Sequence, residues 1–175
     1  MRTVCLHGPE STGKSTLAAA LATHFKTVAV PEFGRLYCEV FGNECDIDDL
    51  RAIRRGHDLL AAAGRRKAKR VLILDTDAVM TALWAEVLLG VRPPDLERID
   101  DPADFYLLCD IDVPFEADKI RYFPGAAARA KLFAQTRTEL EKRQLPFALV
   151  QGGREARLAE AVRAITARFP ELSAA

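Results

Sequence analysis

The stretch Val4-Cys5-Leu6-His7-Gly8-Pro9-Glu10-Ser11-Thr12-Gly13-Lys14-Ser15-Thr16 decides the fold of this chain. It reads as an apolar strand, then the pattern G-x-x-x-x-G-K-S, then the start of an amphipathic helix. Gly8 and Gly13 let the loop turn its backbone N–H groups around phosphate oxygens, and the helix aims its positive N-terminal end at the same anion. The sequence therefore predicts a phosphate-binding loop of the P-loop type.

Two side chains of this loop have separate expected roles. Lys14 reaches the outer phosphates of a nucleotide, and the Ser15 hydroxyl coordinates a magnesium ion. We expect the nucleotide to be held by most of the loop, namely by Gly8, Glu10, Ser11, Thr12, Gly13, Lys14, Ser15 and Thr16.

The composition limits the class of protein. A chain of 175 residues fits one core, so we expect residues 1–175 to form a single domain. The 25 Lys and Arg residues balance the 25 Asp and Glu residues, which gives no reason to expect a nucleic-acid partner. No apolar run approaches membrane-spanning length and a strand opens the chain, so we expect no membrane contact and a cytoplasmic location. The sequence does not predict an oligomeric state.

The four cysteines are Cys5, Cys38, Cys45 and Cys109, and they form no C-x-x-C pair. Cys5 and Cys109 fall in apolar, strand-like runs, where cysteine usually acts as a small hydrophobic residue. We expect reduced thiols that bind no metal.

Strand-like and helical segments alternate along the chain. We predict strands at 2–7, 27–30, 71–75, 104–110 and 146–150. The third and fourth are apolar without alternation, which is typical of parallel strands covered on both faces, so the fold class is α/β. The longest helix is expected from Asp46 to Arg70, with Asp46 or Asp48 as a candidate N-cap and with Leu59 and Leu60 among its candidate buried positions.

Ligands of parallel α/β sheets bind beyond the carboxyl ends of the strands, and the first segment in such a place is 30–37. There Glu32 can accept the proton of an attacking hydroxyl or bind a ribose hydroxyl, and Arg35 can meet a phosphate. Tyr37 adds an aromatic face to this candidate substrate wall. The alternative is an ordinary turn in which Glu32 starts a helix.

The second segment follows the third predicted strand. Asp75 ends that strand, where a P-loop protein holds magnesium directly or through water. Asp77 can orient the acceptor, act as the base, or cap the helix that begins near Ala78. Trp84, the only tryptophan, lies on that helix and faces either the substrate or the core.

The third segment, at about 114–130, carries charge without strong periodicity. This is typical of a lid that brings arginines over a transferring phosphate, with Arg121 and Arg129 as candidates. The alternative is an ordinary charged surface loop. After the fifth strand, Gly153 and Arg154 are placed to lie beside the base of the nucleotide.

Taken together, these segments resemble the ribosylnicotinamide (nicotinamide riboside) kinase domain of the NadR-type NAD-biosynthesis proteins, over nearly the whole chain. The resemblance rests on the segments 8–16, 31–35, 75–77, 86–90 and 110–121. It is weaker in the lid, where Phe115 replaces the usual Trp of the family and Lys119 replaces the usual Gly.

The resemblance implies a three-layer P-loop kinase fold whose five-stranded parallel sheet has the order 2-3-1-4-5. It also implies that ATP and Mg²⁺ are used to phosphorylate the 5′-hydroxyl of nicotinamide riboside, which gives nicotinamide mononucleotide. In this scheme Glu32 or Asp77 is the base, and Arg121 and Arg129 close over the γ-phosphate. A pyridinium cation suits a pocket of aromatic faces and carboxylates, although the same residues would suit a neutral nucleoside.

Three other functions are compatible with a P-loop. A GTPase switch is opposed by the sequence, because no Asp lies three residues before a glycine and Asn43 is the only asparagine. A kinase for another nucleoside or small metabolite fits the same residues. A regulatory ATP-binding module also fits, because the loop alone does not separate binding from transfer.

Overall fold

The protein is built on a five-stranded sheet, and the computed structural model describes residues 1–115 and 125–173. In chain order the elements are β1 (Arg2–His7), α1 (Lys14–His24), β2 (Ala29–Val30), α2 (Phe33–Phe41), α3 (Ile47–Arg65), β3 (Val71–Asp75), α4 (Ala78–Leu89), α5 (Pro94–Glu97), β4 (Phe105–Cys109), α6 (Ala126–Lys142), β5 (Phe147–Val150), α7 (Arg154–Arg168) and a closing 3-10 turn (Pro170–Leu172).

All strand pairs are parallel, and the order is β2-β3-β1-β4-β5. This confirms the predicted fold class and the strand order implied by the resemblance. In the ladder Leu6 lies opposite both Asp75 of β3 and Leu107 of β4, so these strands end nearly level with each other. The segments that follow them therefore meet at one edge of the sheet, as expected for parallel strands.

The sheet is buried on both faces, which explains why its strands are apolar without alternation. Val4 and Leu6 of β1 pack on one face against α1 and α7. Cys5, which points the other way, belongs to a second cluster that includes Val79 of α4 and Leu140 of α6. The result is three layers, with helices on both sides of the sheet.

The helix α3 differs from its prediction in length and in its buried face. Asp46 caps it through a reciprocal capping box, but it ends at Arg65, five residues before the predicted end. Leu59 is 72% exposed, so its predicted burial was wrong, because the stripe facing the protein runs through Ile53, Gly56 and His57. Within 1–115 and 125–173, no helix has the length and apolarity needed to cross a membrane.

An ion-pair cluster of Arg92, Glu97, Glu139 and Arg143 joins the segment after α4 to α5 and α6. The buried Glu139 carboxylate accepts hydrogen bonds from Arg92 at 2.8 Å and from Arg143 at 2.6 Å. Glu97 accepts from the same two arginines at 3.0 and 2.9 Å. Burial alone would raise the pKa of Glu139, but the two guanidinium groups hold it below its usual value, so the cluster is ionised.

Candidate active site

The two glycines of the P-loop are needed for its path. Gly8 has a φ of +133°, and a Cβ atom there would lie 2.6 Å from the carbonyl oxygen of Cys109, a backbone atom that cannot move aside. Gly13 has a φ of +78° and is the N-cap of α1. At Gly8 only glycine combines such a conformation with this close backbone approach, and at Gly13 the positive φ favours glycine.

Lys14 is the first residue of α1 and its side chain lies across the loop. Its Nζ atom donates hydrogen bonds to the carbonyl oxygens of Gly8, at 2.9 Å, and of Pro9, at 2.8 Å. Thr12 closes the same turn, because its hydroxyl donates to Pro9 O at 2.8 Å. Ser15, the next residue, is exposed on the inner side of the loop, where a bound cation would meet its hydroxyl.

A cavity of about 880 Å³ begins at the P-loop and continues along the carboxyl ends of the strands. Its acceptor side, our name for the wall beyond the loop, includes Glu32, Arg35 and Trp84, which the sequence had indicated. Arg154 lines the opposite side, while Gly153 is the N-cap of α7 beside it. The volume is in the range typical of small-molecule sites.

Glu32 offers a carboxylate of unusual basicity to this cavity. It lies at the N-cap of α2, as the helix-start alternative predicts. However, its carboxylate accepts no hydrogen bond from a backbone N–H of that described helix, so capping does not explain why the side chain is acidic. Burial raises the pKa of Glu32 to about 7, with Lys14 opposing and Asp75 and Glu10 adding to the rise. A carboxyl group that titrates near neutrality beside a phosphate site is a candidate general base.

The packing of α2 on α3 sets the position of Glu32. Phe33 lies so close to Gly56 that a Cβ atom there would be 2.2 Å from its ring. Tyr37 belongs to this packing and not to the cavity lining among the described residues, because its hydroxyl donates to Asp49 at 2.6 Å. That bond raises the pKa of Tyr37 to about 12. Its predicted contact with a substrate is therefore not supported by the geometry.

Asp75 and Thr76 combine two unusual features at the end of β3. The Oδ1 atom of Asp75 is buried and has no hydrogen-bond partner in the described part of the protein, and the same holds for the Thr76 hydroxyl. A buried carboxylate oxygen with no donor is suited to a cation or its water ligand, so the residues fit a magnesium site with Ser15. Thr76, which the sequence did not single out, has a φ of 66°, a strained value for a β-branched residue.

Asp77 has the capping role among the alternatives considered for it. Its Oδ1 atom accepts from the Val79 backbone N–H at 3.0 Å and lies 2.9 Å from His7 Nε2, while its Oδ2 atom accepts from the Tyr106 hydroxyl at 2.8 Å. Burial alone would raise the pKa of Asp77, but His7, Tyr106 and this N–H hold it below its usual value. Both oxygens are engaged behind the acceptor side, which does not favour a role as the base.

The arginines predicted for the lid have different outcomes. Arg129, on α6, is buried and donates to the carbonyl oxygens of Ser11, at 3.3 Å, and Val113, at 3.4 Å, with its guanidinium 5.5 Å from the Phe115 ring centre. It therefore contacts the P-loop directly. Arg121 lies outside the described residues, together with the rest of residues 116–124 of the predicted lid.

Arg157 of α7 is a site residue that sequence reasoning missed. It is buried and donates to the carbonyl oxygens of Thr12, at 2.8 Å, Gly152, at 2.7 Å, and Asp110, at 2.9 Å, and it also pairs with the Asp112 carboxylate. One guanidinium thus links the P-loop to the segments that follow β4 and β5. Its position on the helix gave no local signal, because its partner Thr12 is 145 residues away.

Comparison with curated proteins identifies relatives of this chain. It is 30% identical over 158 residues to the trifunctional NAD biosynthesis/regulator protein NadR of Escherichia coli, and 30% identical over 148 residues to NadR of Salmonella typhimurium. These matches cover 86% and 81% of this chain, but only 38% and 36% of the relatives. The chain therefore spans well under half the length of the curated relatives it matches.

Solved structures share the fold. The NadR protein in complex with NR superimposes with a TM-score of 0.77 at 22% identity, covering 97% of this chain and 51% of that one. NadR in complex with NAD and AMP-PNP gives 0.76 at 22%, with coverage of 97% and 49%. Thymidylate kinase from Ehrlichia chaffeensis gives 0.65 at 14%, with coverage of 94% and 98%. At these identities the likeness establishes a P-loop kinase fold.

A family model described as "AAA domain" matches residues 3–157, which is most of the chain. That span begins in β1, includes the whole P-loop and ends at Arg157, the residue that braces it. This chain belongs to the AAA domain family.

Proposed function

We propose that this chain is a kinase that transfers the γ-phosphoryl group of ATP to the 5′-hydroxyl of nicotinamide riboside and so produces nicotinamide mononucleotide. The observation that carries the proposal is the continuity of the cavity from the P-loop to Glu32, whose carboxyl group has a pKa of about 7. The 30% identity to NadR and the fold shared with NadR bound to NR support this riboside as the acceptor.

In this proposal the P-loop holds the donor. Its N–H groups and Lys14 bind the β- and γ-phosphates, and Arg154 and Gly153 lie beside the base. Ser15 and Asp75 would hold Mg²⁺, which when bound neutralises charge on the phosphates. Arg129 positions the loop through Ser11, and Arg121 stays a proposed contact to the γ-phosphate.

Glu32 acts on the acceptor. The 5′-oxygen forms a bond to the γ-phosphorus as the bond from that phosphorus to the oxygen of ADP breaks, and the hydroxyl proton passes to the Glu32 carboxylate. A carboxyl group with a pKa near 7 is substantially ionised at neutral pH and is basic enough to take this proton. Trp84 offers its face, and Glu32 its charge, to the pyridinium ring, while Arg35 binds polar groups of the acceptor.

The test is ADP release with ATP, Mg²⁺ and a panel of nucleosides that includes nicotinamide riboside, with the product identified by mass spectrometry. We expect ADP and a monophosphate only with the riboside, and loss of both in Lys14→Ala. Lys142→Ala, which removes an exposed lysine at the end of α6, is the matched control.

Three outcomes would contradict the proposal in different ways. Turnover with another nucleoside and none with nicotinamide riboside would leave a kinase with a different acceptor. Binding or hydrolysis of ATP that no riboside alters would favour the regulatory ATP-binding module. Full transfer by Lys14→Ala would refute the role of the P-loop.

A further inference from the structure

Two thiols face each other on the acceptor side of the cavity. Cys38 lies on α2 and Cys45 lies in the connection to α3, and their Sγ atoms are 3.8 Å apart. Both side chains are half-buried and both line the cavity. In contrast, Cys5 and Cys109 are fully buried in the sheet. The pair in the cavity wall is therefore the one that a small reagent can reach.

We propose that Cys38 and Cys45 form a reversible intramolecular disulfide that alters the acceptor side of the cavity. The sulfur atoms need to approach from 3.8 Å to about 2.05 Å. The connection between the two cysteines has room for this movement, because Gly42 has a φ of +90° and a Cβ built there would meet no described atom within 4 Å beyond its own chain neighbours. The sequence had indicated thiols at both positions, and the proximity of the pair was not apparent from their spacing.

The oxidant is a low-molecular-weight disulfide, and the chemistry is thiol–disulfide exchange. The Cys45 sulfur loses its proton and attacks one sulfur of the small disulfide, which forms a mixed disulfide and releases one small thiol. The Cys38 sulfur then attacks the Cys45 sulfur, which forms the Cys38–Cys45 bond and releases the second small thiol. Two protein thiols are oxidised and one small disulfide is reduced to two thiols.

The environment of Cys38 assigns it the second step. Burial, the neighbouring Cys45 and the carboxylates of Glu32 and Asp49 raise the pKa of Cys38 to about 12, so its thiol is a poor first nucleophile. Once Cys45 carries the mixed disulfide, the closeness of the two sulfur atoms compensates for this low reactivity.

The bond would act on the site through α2. Glu32 is the N-cap of this helix, Arg35 is in its first turn, and Cys38 lies one turn further on. No residue of α2 is fully buried, so the helix can shift when Cys38 is drawn toward the loop. This part of the inference rests on the proposed function, and a shift of about 1 Å at a catalytic group can cost about a hundredfold in rate.

The test is incubation of the full chain with oxidised glutathione, followed by intact-mass analysis and peptide mapping without reduction. We expect a loss of two hydrogens, a linked Cys38–Cys45 peptide, and restoration by dithiothreitol. Cys5 and Cys109 serve as internal controls and should react with an alkylating reagent only after unfolding. In Cys38→Ser and Cys45→Ser we expect no loss of two hydrogens, and a stable glutathione adduct on Cys45 in the former.

Two further readouts separate this inference from the proposed function. The emission of Trp84, the sole tryptophan, reports on the acceptor side without any catalysis, and we expect it to change on oxidation and to recover on reduction. With nicotinamide riboside, kcat/KM should fall by about tenfold or more while the KM for ATP stays constant. The inference would be overturned if the disulfide did not form, or if it formed and changed neither readout. If the disulfide changed Trp84 emission in a chain that does not turn over the riboside, only the proposed function would be contradicted.

Discussion

Glu32→Gln is expected to lower the rate of transfer and to stabilise the folded protein at alkaline pH. Removing a general base typically costs about a hundredfold to ten-thousandfold in kcat. In the wild type, transfer should rise with pH through an inflection near 7, because only the ionised carboxylate accepts the proton. The variant should lose this inflection, since the amide does not titrate.

The effect on stability follows from the same pKa. Moving the pKa of a carboxyl group from its ordinary 4.5 to about 7 on folding corresponds to about 3 kcal/mol, and because Glu32 is only half-buried, solvent screening reduces this to about 1–2 kcal/mol. The folded state holds the proton more tightly than the unfolded state, so stability falls as pH rises from about 4.5 to about 7. The uncharged Gln variant escapes this loss.

Urea unfolding and initial rates, both measured at about pH 5 and about pH 8, provide the assay. We expect Glu32→Gln to exceed the wild type in free energy of unfolding by about 1–2 kcal/mol at the higher pH and by much less at the lower. Glu44→Gln, at an exposed position in the loop before α3, controls for the loss of one negative charge. An unchanged pH–rate inflection in Glu32→Gln would refute the reasoning, because the titrating group would then be a different one.

Three further substitutions test the surroundings of the site. Gly56→Ala should lower stability by about 1–3 kcal/mol and raise the KM for the acceptor, because the new Cβ displaces Phe33 next to Glu32. Arg157→Lys should raise the KM for ATP more than that for the acceptor, because an ammonium cannot reproduce the fork that holds Thr12 O. Asp77→Asn should cost about 1–3 kcal/mol of stability, chiefly through its buried hydrogen bonds, while kcat falls far less than in Glu32→Gln. Urea unfolding and steady-state kinetics check all three.

Each of these variants has a contrary result. Arg55→Ala, at an exposed position of the same helix, is the control for Gly56→Ala. Equal acceptor KM values in these two variants would show that the packing of Phe33 does not position Glu32. An unchanged KM for ATP in Arg157→Lys would show that the guanidinium does not maintain the conformation of the P-loop. A loss of rate in Asp77→Asn as large as that in Glu32→Gln would return the role of base to Asp77.

Local sequence patterns predicted the parts of the site that depend on short segments. The loop from Gly8 to Ser15 and the position of Asp75 follow from a strand, a turn and a helix start, so periodicity and residue type were sufficient. The partners of Tyr37 and Asp77 were beyond such reasoning, because Asp49 and Tyr106 approach them only through the packing of α2 on α3 and of β4 beside β1. Where a side chain can have several chemical roles, its neighbours in the fold decide which role it has, and its spacing in the sequence does not.

The same limit applies to the residues that were missed. Arg157 is one of many arginines on helices, and its function is set by the carbonyl oxygens of nearby Gly152 and of two distant residues, Thr12 and Asp110. The strain at Thr76 cannot be anticipated either, since threonine is common in strands and rare at positive φ. Both features lie at the edge of the sheet where the carboxyl ends of the strands meet.

The two helical walls of the cavity differ in how tightly they are packed. The ion-pair cluster holds α5 and α6 to the end of α4 through the buried Glu139, whereas α2 has no fully buried residue and exposes Val40 and Phe41. Local unfolding free energies are lower where fewer residues are buried. We therefore expect α2 to unfold locally more often than the sheet or α4. The two substrates would then bind with different kinetics. The association rate of the acceptor would depend on the local opening of α2, whereas the donor would bind to a P-loop that is already formed.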